Sequence, residues 1–133
     1  MAQNHSRNGE AFQAMGDASW LISYAMALDD QGKSDLAKST WREAAGAEEL
    51  AAFLLDAAGC DTEAGVHHAS AATCYEKAGG FPSAVSQLHA ALGSSIPESL
   101  KRRLRPQLKR CIQKAKKELQ TTVRQRRKTA ISV

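Results

Sequence analysis

The feature that most constrains this chain is a sparse spacing of small and apolar residues around a glycine, read twice. Leu21, Ala25, Leu28, Gly32, Ala37, Trp41 and Ala44 form the first set, and His68, Ala72, Tyr75, Gly79, Ala84, Leu88 and Ala91 the second. In each set the successive gaps are 4, 3, 4, 5, 4 and 3 residues. Gaps of three and four place side chains on one face of a helix. The central glycine is where the chain turns. Each stretch therefore predicts a helix, a tight turn and a second helix packed back through small residues.

The second stretch reads HHASAATCYEKAGGFPSAVSQLHAALGSSIP and the first LISYAMALDDQGKSDLAKSTWREAA. This spacing resembles the tetratricopeptide repeat, a helical hairpin of about 34 residues. The second copy fits better, with Gly79-Gly80 at the turn and Pro97 after its second helix. The first lacks the closing proline and has Ala25 where many family members carry glycine. The hairpins of fusion-related soluble attachment proteins and of microtubule-interacting-and-trafficking domains look similar at this level. The fold class expected is all-α: two antiparallel hairpins capped by a long basic C-terminal helix. Corresponding residues of the two copies lie 47 apart, so residues 52–64 read as extra turns that project beyond the bundle or fill its end.

At 133 residues the chain is one domain. Residues 1–7 are polar and read as a flexible N-terminus, 8–121 as the helical domain, and 122–133 as a basic tail that frays. Gly16-Asp17 either breaks the first helix or is carried inside it at a cost of about 1 kcal/mol. Ser34 suits the N-cap of a second helix, and Asp61 or Thr62 that of a third. Pro82 suits the first turn of a fourth helix. In the fifth, Leu100, Leu104, Leu108, Cys111, Ile112, Ala115, Leu119 and Val123 keep one stripe, with Pro106 off it as a bend or break.

Charge is divided unevenly along this length. Residues 1–100 hold 5 Lys/Arg and 13 Asp/Glu, a net −8; residues 101–133 hold 13 Lys/Arg and the single acid Glu118, a net +12. No apolar run approaches the ~18 residues of a membrane span, and the N-terminus lacks a signal-peptide core. A cytoplasmic location is expected. Cys60, Cys74 and Cys111 are odd in number and widely spaced, which suits free thiols better than a disulfide framework.

Cys60, His67, His68 and Cys74 are the one soft-ligand group, but paired Cys-x-x-Cys spacing and an obvious fourth ligand are missing. A Cys–His nucleophile has no recognisable glycine-rich loop beside it. No phosphate-binding loop, dinucleotide fingerprint or HExxH-type motif occurs. The expectation is a chain with no catalytic residues, no metal and no cofactor.

The resemblance implies a concave groove walled by the first helix of each hairpin. Projection puts Ser19, Ile22, Met26 and Asp29 there from one copy and Val66, Ala69, Thr73 and Glu76 from the other, with no lysine among them. A branch of the family holds peptide carboxylates with lysine and asparagine; here Ile22 and Met26 stand at those places, which argues against such a clamp. The groove expected is apolar and acid-edged, with Asp29, Asp30 and Glu76 setting a preference for an amphipathic or basic helix or peptide. Two hairpins are short for a free-standing groove, so either the fifth helix fills it or dimerisation completes it.

The rival signal is the last helix. Lys101, Arg102, Arg103, Arg105, Lys109, Arg110, Lys114, Lys116, Lys117, Arg124, Arg126, Arg127 and Lys128 surround its apolar seam. This surface balances the acidic bundle, or holds nucleic acid through phosphates, or meets an anionic membrane or acidic protein. Phe, Tyr and Trp are absent from residue 82 onward, so base stacking there is not available from them. The function expected is noncatalytic protein–protein binding, as an adaptor or small scaffold subunit, with nucleic-acid association as the alternative.

Overall fold

The computed structural model describes residues 2–131, and the fold is all-α. Five helices follow one another: α1 Ala2–Asp30, α2 Ser34–Ala57, α3 Asp61–Lys77, α4 Phe81–Leu92 and α5 Glu98–Ile131. None of them is long and apolar enough to cross a membrane.

Three of the four connections are the same turn. Gly32, Gly59 and Gly79 have φ of 74°, 80° and 80°, a conformation that costs glycine little and other residues more. The amides of these glycines donate to Asp29, Asp56 and Glu76, three residues back, at 3.0, 3.0 and 3.1 Å. The next residue donates five back: Lys33 to Leu28 and Cys60 to Leu55 at 2.9 Å, Gly80 to Tyr75 at 2.8 Å. This is the Schellman arrangement, which satisfies carbonyls that a helix end leaves bare. The same residue opens the following helix, its carbonyl accepting from Ala37, Ala64 or Ala84. Lys33, Cys60 and Gly80 are thus the N-caps, none with a side-chain cap. Ser34 and Asp61, expected as caps, are already helical because one residue separates each glycine from the next helix.

The middle turn corrects the expectation for residues 52–64. Glu48, Ala52, Leu55, Gly59, Ala64, His68 and Ala71 carry the same gaps of 4, 3, 4, 5, 4 and 3. These residues form the joint between α2 and α3 rather than surplus turns, and Ala52, Leu55 and Ala64 are buried. The spacing belongs to each helix-to-helix joint, not to a two-helix unit alone.

The helices at the two ends are longer than the sequence suggests. α1 begins at Ala2 and runs unbroken through Gly16-Asp17, so residues 2–7 are helical; Met1 lies outside the described residues. α5 runs through Pro106 to Ile131, so residues 122–131 continue the helix; 132 and 133 lie outside the described residues. Proline removes the donor for the Arg102 carbonyl. Both residues are exposed, so water can serve that carbonyl instead.

Packing follows chain order: α1 on α2, α2 on α3, α3 on α4, α4 on α5. Alanine makes the close approach possible. Ala18, Ala25, Ala37, Ala44, Ala52, Ala64, Ala72 and Ala84 are fully buried. One cluster joins α1, α2 and α3 around Trp41, and another joins α3, α4 and α5 around Leu88, Leu104 and Cys111. Full burial of a side chain such as Leu88 stabilises by about 2–3 kcal/mol.

The connection between α4 and α5 differs, and α3 holds it. The Asp61 carboxylate accepts the Ser95 amide at 2.7 Å, and the Thr62 and Ser95 hydroxyls lie 2.7 Å apart. Gly65 sits under this linker. A Cβ there would fall 2.0 Å from Ser94 Oγ and 2.6 Å from Ile96 Cγ2, whereas one at Gly16 would meet nothing within 4 Å. Gly65→Ala should therefore destabilise the fold by about 1–3 kcal/mol through overpacking. Gly16→Ala should stabilise it by about 0.5–1 kcal/mol through helix propensity. Urea unfolding of the two variants checks both signs.

Candidate partner-binding groove

The inward faces of α1, α3 and α5 enclose a groove of about 470 Å³. Ile22 and Met26 form the α1 wall; Val66, Ala69, Ser70, Thr73, Cys74 and Lys77 line it from α3; Leu100, Arg103, Leu104 and Gln107 come from α5, and Trp41 from α2. Met26 is 56% exposed and Val66 42%, so apolar surface faces the opening. A smaller hollow of about 210 Å³, between Ala11, Phe12, Met15, Leu55, Cys60 and Glu63, continues toward the start of α1. Glu63 and Val66 are three apart on α3 and so share a face.

The structure brings together Ile22, Met26, Val66, Ala69 and Thr73 of the residues expected from sequence. Ser19, Asp29, Asp30 and Glu76 do not line the groove. Asp29 accepts the Trp41 Nε1–H at 2.8 Å, which fixes the indole instead of meeting a partner. Glu76 accepts from Arg110 Nε and Nη2 at 2.6 and 2.9 Å and from Gln107 at 3.2 Å. The Arg110 hydrogen bond holds its carboxyl below the usual glutamate range.

The expected acid edge is therefore replaced by a basic one: the charged residues that line the groove are Lys77 and Arg103. The Lys77 ammonium lies 5.1 Å from the Trp41 ring centroid, a cation–π contact. Helical spacing of 66, 70, 73 and 77 would have found Ser70 and Lys77. The α5 residues could not be found that way, because the sequence left open whether that helix fills the groove. It supplies the third wall.

The histidines and cysteines are distributed through the bundle. His67 Nδ1 meets Glu48, and Glu48 is buried. His68 Nε2 lies 3.1 Å from Asp56, and its Nδ1 lies 2.7 Å from Gln87 Oε1. The Gln87 amide nitrogen donates to Glu49 at 3.0 Å, and the Tyr75 hydroxyl donates to Glu49 at 2.6 Å. Burial and this carboxylate push the Tyr75 phenol up to about 12. The chain of bonds joins α2, α3 and α4, and no buried side-chain polar atom among the described residues lacks a partner. Cys74 and Cys111 are buried, and burial pushes their thiols up to about 12 and about 11. Cys60 is half-buried. Among the described residues no three His, Cys, Asp or Glu side chains group as a metal site.

On α5, Arg110 pairs with Glu76 and Arg105 with Glu98, and Lys114 lies 5.1 Å over the Phe81 ring. Residues 116–131 are exposed. The shallow strip beside Thr121, Gln125 and Thr129 belongs to this single helix and has no second wall.

Comparison with protein-family models, with curated proteins and with solved structures returned no match.

Two tests follow from this geometry. A glutamate whose folded pKa is depressed adds stability above its unfolded pKa and loses it as pH falls through the folded one. Glu76→Gln should thus be less stable than wild type at pH 7, and the difference should vanish in acid below the ordinary glutamate range. A difference unchanged from pH 7 to pH 3 in urea melts would show that the Arg110 pair does not dock α5. Iodoacetamide should modify Cys74 and Cys111 only slowly in the native chain and readily in denaturant, as thiols held protonated react poorly; mass spectrometry of the labelled peptides reads the result.

Proposed function

We propose that the chain is a noncatalytic protein–protein interaction module, an adaptor or small scaffold subunit, that holds a partner helix or peptide in a tetratricopeptide-like groove. The observation that carries this reading is the exposed apolar wall of Met26 and Val66 inside a three-sided groove. From Val66 to Lys77 the α3 side of the groove spans roughly 16 Å, about three helical turns. That length suits a partner helix presenting anchors at i, i+3 or i+4, and i+7.

The lining also specifies the partner's chemistry. Ile22, Met26, Val66, Leu100 and Leu104 take apolar side chains, and Ser70, Thr73 and Gln107 offer hydrogen bonds. Lys77 and Arg103 favour acidic residues on the partner's edge. A basic helix, the preference read from Asp29, Asp30 and Glu76, meets like charge here. The noncatalytic reading is supported by the engagement of His67 and His68 in hydrogen bonds and the upward shift of the two buried thiols.

Selection from a displayed library of amphipathic peptides, followed by anisotropy with the selected sequence, tests the proposal. Met26→Glu should weaken capture at least about tenfold, because it replaces an apolar anchor of the wall with a carboxylate that must be desolvated when the partner seats. Its helicity should be unchanged, because Met26 is more than half exposed. Affinity should respond little to added salt. Selected peptides that bind Met26→Glu as well as wild type would place the site elsewhere.

A further inference from the structure

We propose that the solvent face of α5 is a second binding site, one for the phosphate backbone of a nucleic acid. Arg102, Arg105, Lys109, Lys116, Arg124 and Arg127 follow one another along the helix, with Gln113 and Gln120 in the intervening slots. The successive gaps among these eight are 3, 4, 4, 3, 4, 4 and 3, so they form one straight row. All eight are exposed. The row runs roughly 37 Å at 1.5 Å per residue, with a donor at each turn. Every position is a cation or an amide donor. Glu118, the one acid after residue 100, falls on the opposite side of the helix.

The bundle positions this row and leaves it unused. Leu104 and Cys111 are buried against α4, with Leu108 packed beside them, which turns the row toward solvent. Of its members Arg105 pairs with Glu98, at the end of the row and on α5 itself. Arg110, whose partner Glu76 lies on α3, is not in the row.

The choice of occupant follows from what the row lacks. Protein interfaces draw most of their energy from Trp, Tyr and Arg side chains seated in desolvated pockets; the row has no Trp or Tyr, and its four arginines stand exposed along one helix. An amphipathic helix binds a membrane by inserting its apolar face; on α5 that face is covered over Leu104–Cys111, and beyond it Leu119, Val123 and Ile131 are a sparse set of uncovered apolar side chains for insertion. Evenly spaced cations and amide donors match an evenly spaced polyanion, whose phosphates need neutralisation but no base readout. The absence of Phe, Tyr and Trp from residue 82 onward removes aromatic stacking from this contact. Binding should therefore be electrostatic and weakly selective for sequence.

The test is anisotropy of labelled random-sequence duplex DNA, duplex RNA and single-stranded RNA with the full chain at 50 and 200 mM salt. Affinity should fall on the order of 10³-fold between the two, as release of about five counterions requires. Lys116→Gln with Arg127→Gln should weaken binding roughly tenfold at 50 mM and lower the salt slope by about 2. Lys33→Gln with Lys38→Gln, the same charge change at the start of α2 and its N-cap, should stay within about twofold. Met26→Glu should have no effect, which separates this site from the groove. The proposal fails if the chain binds no nucleic acid at 50 mM salt, or if both double variants weaken binding equally. It also fails if the chain binds phosphatidylserine vesicles and none of the nucleic acids, which would assign the row to a membrane surface.

Discussion

Each of the first three joints of this molecule depends on a glycine at positive φ with an alanine five residues later. The glycine lets the helix end with its carbonyls satisfied and the next helix begin one residue on. The alanine then lies buried at the crossing, where a larger side chain would force the axes apart. Direction and separation of consecutive helices are set by these two residues together. The same geometry at Gly32, Gly59 and Gly79 makes the first four helices a regular stack, and the groove on its inner side follows from that regularity.

α5 departs from the regular joint. Its linker carries no positive-φ glycine, and Gly93 keeps an ordinary helical φ of −82°. Orientation there comes from side chains: Asp61 and Thr62 hold Ser95, Gly65 admits Ser94 and Ile96, and Glu76 grips Arg110. A bare Cα on α3 thus does at this joint what alanine does at the others. One face of α5 closes the groove with Leu100 and Leu104, and the opposite face presents its cations outward.

The helical character and the turns at Gly32 and Gly79 are legible from spacing alone, and projection from the repeat resemblance reaches Ile22, Met26, Val66, Ala69 and Thr73 of the groove lining. The joint at Gly59 was equally legible by spacing, but its flanking residues include Glu48 and His68, polar side chains in places where the other copies hold mainly apolar ones. Those residues are tolerated because His67 and Gln87 supply partners across the helices, which a linear pattern does not reveal. Charge at the groove escapes a linear reading for the same reason. Position on the helix offers Asp29 and Glu76 to a partner, whereas Trp41, Gln107 and Arg110, distant in sequence, take them up. Carboxylates at a rim are read wrongly whenever their internal acceptor bonds are unknown.

Stacking in chain order leaves both ends of the stack open, and the ends are unlike. At the α1 end Trp20 and Tyr24 stack with centroids 5.3 Å apart on a face that α2 does not cover, Trp20 being 65% exposed. In a linear array the outermost helix is held from one side only, so resistance to local opening declines toward it. The Met26 wall of the groove stands on one outermost helix and the Leu100 wall on the other, while the floor on α3 is clamped from both sides. The groove therefore has a firm bed between two lips, each anchored along a single side.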